Sequence, residues 1–237
     1  MIGLARRLRG TPTTDDVLRA ELAYYVAVLR PGMTAFDVGA NVGDLSVIFT
    51  HLVGSTGRVH AFEPTRAADR LAAAAAALGR GNLVLNRRAV AETEGPRIVY
   101  EYEGDFLSWS GFAQRPLERY GIEAPTPTAI EVQAVTLDGY CSAAGVDHID
   151  LLKIDVEGAE FEVLKGARRL LAERRIAHCV FEWGQTSLEV GVSGDDFRTM
   201  LGDVGYGVHN LVRGAAAFPV RGGLADFAMH VARPRRS

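Results

Sequence analysis

Short apolar segments alternate with helix-patterned stretches along most of this chain, and that alternation constrains the fold more than any other feature. MTAFDV (33–38), RVHAFE (58–63), NLVLNR (82–87) and IDLLKID (149–155) each suit a buried strand, and AHCVFEW (177–183) follows them. Strands separated by helices imply βαβ units around a parallel sheet. The segment 13–32, TTDDVLRAELAYYVAVLRPG, opens on a Thr/Asp cap, spaces Val17, Leu22, Tyr25 and Leu29 at helical intervals and stops at Pro31-Gly32. LAAAAAALG (71–79) joins six alanines to a Gly79 that suits the stop after a helix. The alternation breaks over 97–135, where RIVYEYEG and AIEVQAV read as strands around a loop containing Pro116, Pro125 and Pro127. This insertion is expected to be a flap at the substrate site. Near the end, VGYGVHNLV (204–212) and ADFAMHVAR (225–233) read as a closing antiparallel hairpin. The expected organisation is a flexible N-terminus (1–12), one domain (13–232) and a basic tail (233–237).

The chain has 237 residues, 48% of them hydrophobic and 23% charged, which suits a single soluble α/β core. Its net charge of −3 offers no overall field to attract phosphate backbones, so a small-molecule partner is expected and nucleic acid is not. The terminal clusters Arg6, Arg7, Arg9 and Arg233, Arg235, Arg236 read as solvated ends. Cys141 and Cys179 read as reduced core thiols, without metal-ligand spacing. No apolar run approaches the roughly 18 residues of a membrane span, and MIGLARRLRG lacks the apolar stretch of a signal peptide. A cytoplasmic protein without a membrane partner is the expectation.

The chemistry is concentrated at strand ends. In AFDVGANVGDLSVIF (35–49) a strand carrying Asp37 runs into Gly39 and Gly43 and then into an apolar helix, a turn that admits close approach of a nucleotide-like ligand. Glu63 ends the next strand, where an acid can bind both ribose hydroxyls. Dinucleotide folds use GxGxxG to admit a pyrophosphate, and no glycine lies between Gly39 and Gly43 here. A ribose ligand without a pyrophosphate fits better, which disfavours an NAD-dependent oxidoreductase. In LLKIDVEGAEFEVLKGARRLL (151–171), Lys153, Asp155, Glu157 and Glu160 crowd a strand exit, where open α/β sheets bind ligands. Glu157 and Glu160 can instead complement a helix dipole, and Lys153 and Asp155 can form a structural ion pair.

Taken in order, FDVGANVGDLS, FEP (62–64), VTLDGY (135–140) and above all LLKIDVEGAEFEVLKGA resemble the FkbM family of methyltransferases over roughly residues 30–232. The resemblance implies a Rossmann-like class I methyltransferase fold, mostly parallel, with the C-terminal hairpin and the inserted flap. It also implies S-adenosylmethionine as donor and O-methylation of a hydroxyl on a natural product, sugar or related small molecule. By that resemblance Asp37, Gly39, Asn41 and Gly43 shape the methionine end of the cofactor site and Ser46 reaches its carboxylate. Glu63 holds the ribose, Asn86 and Ala89 pass near the adenine, and Asp155 lies beside the methyl. Arg87-Arg88 departs from the family pattern.

Asp155, Glu157 and Glu182 are the candidate catalytic carboxylates, with a structural role open for Glu182, while His178 reads as a core histidine. The same three acids would suit magnesium, which is not expected here. The acceptor site is expected around Asp105, Trp109, Ser110, Gly111 and Phe112, the alternative being that Trp109 and Phe112 only pin the flap. A non-catalytic binder of S-adenosylmethionine is the reading outside enzymology.

Overall fold

The computed structural model describes residues 12–221 and 224–235. Helix α1 (Thr14–Val28) begins on the expected cap: the Thr13 side chain accepts from the Asp16 amide while the Asp16 carboxylate accepts from the Thr13 amide. It ends at Val28, short of Pro31, because Leu29 is already extended. The first half then runs β1 (Thr34–Val38), α2 (Asp44–Val53), β2 (Arg58–Phe62), α3 (Ala67–Leu78) and β3 (Leu83–Asn86). After β4 (Ala89–Val90), β5 (Gly95–Glu101) and β6 (Thr128–Val135), the second half supplies α4 (Leu137–Ala144), β7 (Ile149–Ile154), α5 (Glu160–Lys165), α6 (Arg168–Ala172) and β8 (Ile176–Trp183). It closes with α7 (Gln185–Glu189), α8 (Gly194–Asp203), β9 (Tyr206–Asn210), β10 (Val220–Arg221), β11 (Leu224–Ala225) and β12 (Ala228–Pro234).

Seven strands form one sheet in the order β3-β2-β1-β7-β8-β12-β9. Only β12 is reversed, pairing antiparallel with both β8 and β9. This is the class I methyltransferase arrangement, and its order reverses between β1 and β7, which places a crevice at their carboxyl ends. The C-terminal hairpin is present as β9 and β12, with the small β10-β11 pair between them. Arg233 and Pro234, assigned above to a tail, instead close β12 opposite Gly207 and Tyr206.

Helices cover both faces of the sheet, so its central strands are apolar on both sides. Alternate residues feed two cores: Leu152, Cys179 and Phe181 pack with Phe36 and Phe197, whereas Leu151 and Val180 pack with Val17, Tyr25 and Phe49. His178 is more than a core residue, because its Nδ1 lies 2.6 Å from the Tyr24 hydroxyl and joins α1 to the sheet. Cys141 and Cys179 are free and buried. Among the described residues no helix is long and apolar enough to cross a membrane.

The 97–135 insertion is more ordered than a loop. Its strands β5 and β6 join β4 in a second sheet, ordered β4-β6-β5, and short 3-10 turns occupy Gly104–Trp109 and Leu117–Tyr120. The Arg66 amide and Nε each donate to a Glu101 carboxylate oxygen at 2.7 Å, fixing β5 against the start of α3. Helix α8, capped by Ser193, packs Phe197 onto Phe181 with ring centroids 5.0 Å apart and planes 3° from parallel. Phe197→Ala is expected to cost about 3–5 kcal/mol in urea denaturation; a loss below about 1 kcal/mol would show that α8 is not part of the main core.

Candidate active site

A buried ammonium organises the crevice. In the β1–β7 register Asp37 stands opposite Lys153. Lys153 Nζ lies 3.2 Å from Asp37 Oδ1, donates to the Gly39 carbonyl at 2.9 Å and lies 3.6 Å from Asp155 Oδ2. Burial alone would favour the neutral amine, but Asp37, Asp155 and Glu21 outweigh it and hold the Lys153 pKa above its ordinary value. The other Asp37 oxygen accepts from Ser46 Oγ at 2.6 Å, and both residues are fully buried. Asp37 and Ser46 therefore build the site from behind, and the Ser46 hydroxyl expected to reach a ligand carboxylate is committed to Asp37.

The turn after β1 owes its shape to two glycines. Gly39 has φ +76°, and a Cβ there would fall 1.8 Å from the Asp155 carbonyl oxygen. Gly43 has φ +96°, and its Cβ would meet Leu71 Cδ1 at 2.3 Å. Between them Asn41, itself left-handed at φ +49°, donates its amide to Glu63 Oε2 at 2.8 Å. Glu63 Oε1 accepts from the Thr65 amide at 2.9 Å and from its hydroxyl at 2.6 Å. Three bonds leave this carboxylate short of its roughly four lone-pair sites, so it can still accept from a ligand hydroxyl.

These elements bound a cleft lined by Gly39, Asn41, Glu63, Ala89, Asp155 and Glu157, with Ser110 to Phe112 of the insertion completing its wall. Asp37, Gly43, Ser46, Asn86, Asp105, Trp109 and Glu182 do not line it. Asn86 donates to the Ala61 carbonyl at 3.3 Å and stays within the sheet. Trp109 packs edge-on against Phe106 and lies 5.0 Å from the Arg115 guanidinium. Ser110 borders the cleft, yet its hydroxyl donates to Leu107 O at 2.8 Å and accepts from the Tyr102 amide at 3.0 Å. Thr65 and Arg115 do not stand out in the sequence, and Arg88 does so only as a departure from the family pattern: Thr65 and Arg88 line the cleft, and Arg115 grips one of its acids.

That acid is Glu157, whose Oε2 lies 3.2 Å from Arg115 Nη1 on a backbone at φ +55°. Asp155, Glu157 and Glu182 each bring one carboxylate oxygen within 4.8 Å of the others. Burial, then Asp155, pushes the Glu157 carboxyl up from 4.5 to about 8 against the pull of Arg115. Burial, then Asp155 and Glu157, also hold the Glu182 carboxyl well above its ordinary value. Glu160 is buried and raised to about 7, and its Oε1 accepts from the Val156 and Gly158 amides at 3.0 and 3.2 Å, closing the turn before α5.

A carboxyl whose pKa is raised by folding stabilises the protein fully below its unfolded value and loses that contribution as pH rises through the folded one. Stability is therefore expected to fall between about pH 4.5 and 8, and Glu157→Gln is expected to flatten that slope. Urea melts across this range check it; an unchanged slope in the variant would remove Glu157 from the titration.

Residues 37–208 match the family described as the methyltransferase FkbM domain. The 31-O-demethyl-FK506 methyltransferase FkbM of Streptomyces tacrolimicus is 35% identical over 159 residues, covering 58% of this chain and 60% of that protein. The 2-O-methyltransferase NoeI of Sinorhizobium fredii is 29% identical over 192 residues, covering 75% of this chain and 76% of its own length. In fold, a methylase structure from Clostridium thermocellum superimposes with a TM-score of 0.51 at 12% identity, over 95% of this chain and 100% of that one. With its crevice, its KIDVEG turn and most of its length accounted for in this way, the chain belongs to the FkbM family of methyltransferases.

Proposed function

We propose that this protein transfers the methyl group of S-adenosylmethionine to a hydroxyl of a small molecule, a natural product or a sugar, in the cytosol. The observation that carries the reading is that Glu63 and Asp155 line one and the same cleft at the β1/β7 switch point. The residues fit the donor: Glu63 keeps capacity for ribose hydroxyls, the Gly39–Asn41 backbone borders the same space, and Ala89 offers an apolar wall. Asp37, Gly43 and Ser46 hold the Gly39–Asn41 turn in shape from behind. When bound, the donor supplies a methyl carbon activated by a sulfonium. The two Streptomyces and Sinorhizobium relatives, both named as O-methyltransferases, support oxygen as the acceptor atom. Buried free thiols support a reducing compartment.

Alignment of the two reactants can contribute roughly 7–11 kcal/mol, and a positioned base a further 10²–10⁴-fold or so. Asp155 is the base in this reading, because it is the acid of the trio with the more open side chain, 39% exposed. Glu182, buried and hydrogen-bonded to Asp155, holds a proton and orients it. Glu157 stands at the cleft wall with Arg115 already supplying positive charge beside it, so we assign no magnesium to the trio.

Calorimetry tests the donor assignment: S-adenosylhomocysteine is expected to bind and NAD is not. Glu63→Ala is expected to weaken binding at least about tenfold, since it removes a charge-assisted contact. Equal affinity in wild type and variant would sink the ribose assignment, and NAD binding would favour an oxidoreductase. Asp155→Asn is expected to keep S-adenosylhomocysteine binding but lose at least about 100-fold in methyl transfer across a panel of hydroxylated molecules. Turnover near wild type would make Asp155 structural. A wild type that binds donor and transfers to none of the panel would favour a non-catalytic binder.

A further inference from the structure

A second groove lies beside the first cleft, along the flap, and shares part of its lining. Phe112 and Ala113 of the insertion form one wall, and Phe161, Val190 and Val192 the other. Phe112, Glu157 and Ala159 line both spaces, so a molecule in the groove lies against Glu157, two residues beyond Asp155. The charged groups along it, Glu157, Glu162 and Lys165, are each paired with a residue off the groove. Lys165 Nζ lies 3.0 Å from Glu92 and Glu162 lies 3.4 Å from Arg97. The same two cations stand over the aromatic walls, Arg97 at 5.9 Å from the Phe112 ring and Lys165 at 5.2 Å from the Phe161 ring. Val190 is 43% exposed, so its apolar surface is open to an occupant. Apolar walls, neutralised rims and a carboxyl at the inner end describe a receptor for a molecule that is apolar in body and hydroxylated at one end.

We propose that this groove, rather than the Trp109 side of the flap, receives the apolar body of the methyl acceptor. The acceptor is then a hydroxylated molecule with a sizeable apolar part beside the methylated hydroxyl, not a small, wholly polar sugar. The inference rests on the methyl-transfer reading above. Trp109 lines neither space, while Phe112, two residues beyond Ser110, lines both.

The test uses the full chain saturated with S-adenosylhomocysteine and titrated with hexyl β-D-glucopyranoside or methyl β-D-glucopyranoside, which share ring hydroxyls and differ in alkyl length. The hexyl glycoside is expected to bind at least about tenfold tighter, the direction that burial of its extra methylenes dictates. Val190→Asp places a charge on one wall and Ala113→Phe fills the groove from the other. Each is expected to abolish the hexyl advantage while leaving the S-adenosylhomocysteine dissociation constant within about twofold, because neither residue lines the cofactor cleft. Ile98→Asp, at a comparably exposed apolar position outside the groove, is expected to preserve the advantage. Equal affinity for the two glycosides in wild type, or an advantage that survives both groove variants, overturns the groove assignment while donor binding stands. A wild type that fails to bind S-adenosylhomocysteine overturns the methyl-transfer reading and the groove assignment with it.

Discussion

A lysine ammonium held out of water between two strands is the constraint on which the crevice depends. Removing such a charge from water costs several kcal/mol unless partners surround it. Lys153 meets Asp37 at 3.2 Å, the Gly39 carbonyl at 2.9 Å and Asp155 at 3.6 Å. Those three groups belong to the end of β1, the turn after it and the exit of β7. One side chain thus fixes the separation of the two strands at the switch point and aims the Gly39 turn. Gly39 has to lack a Cβ because this arrangement brings its α-carbon against the Asp155 carbonyl.

The functional edge of the site is built on that frame by two kinds of acid. Asp37 and Glu160 are spent on structure, one on Lys153 and Ser46, the other on the amides that begin the turn before α5. Asp155, Glu157 and Glu182 converge instead, and their mutual repulsion together with burial favours protonated forms of Glu157 and Glu182. The insertion is held at both ends of this edge. Arg66 grips Glu101 near β2, and Arg115 grips Glu157 near β7, so the small sheet stands over the cleft as a supported wall.

Much of this was legible in the chain. The strands read from apolar segments appear where their patterns place them, because parallel strands buried on both faces are nearly continuous in apolar residues. Strand β4 escaped notice because two residues, Ala89 and Val90, carry no periodicity. Sequence motifs name residues that matter without saying which way they face: Asp37 and Ser46 turned out to bond each other beneath the cleft, and Trp109 packs on Phe106 and Arg115. Arg115 was invisible for a related reason. An arginine in a Pro-bounded loop has no local signal, and its partners Glu157 and Glu189 lie far along the chain. Thr65 was closer to hand, since a hydroxyl two residues after Glu63 is placed to bond it locally.

A double-mutant cycle at Asp37 and Lys153 measures the central interaction most directly. Asp37→Asn and Lys153→Met, singly, each leave a buried charge without its main partner and are expected to cost about 3–5 kcal/mol of unfolding free energy. The double variant is expected to cost little more than either single one, giving a coupling of at least about 1.5 kcal/mol. Additive losses, with a coupling near zero, would contradict the claim that this buried pair sets the geometry of the crevice.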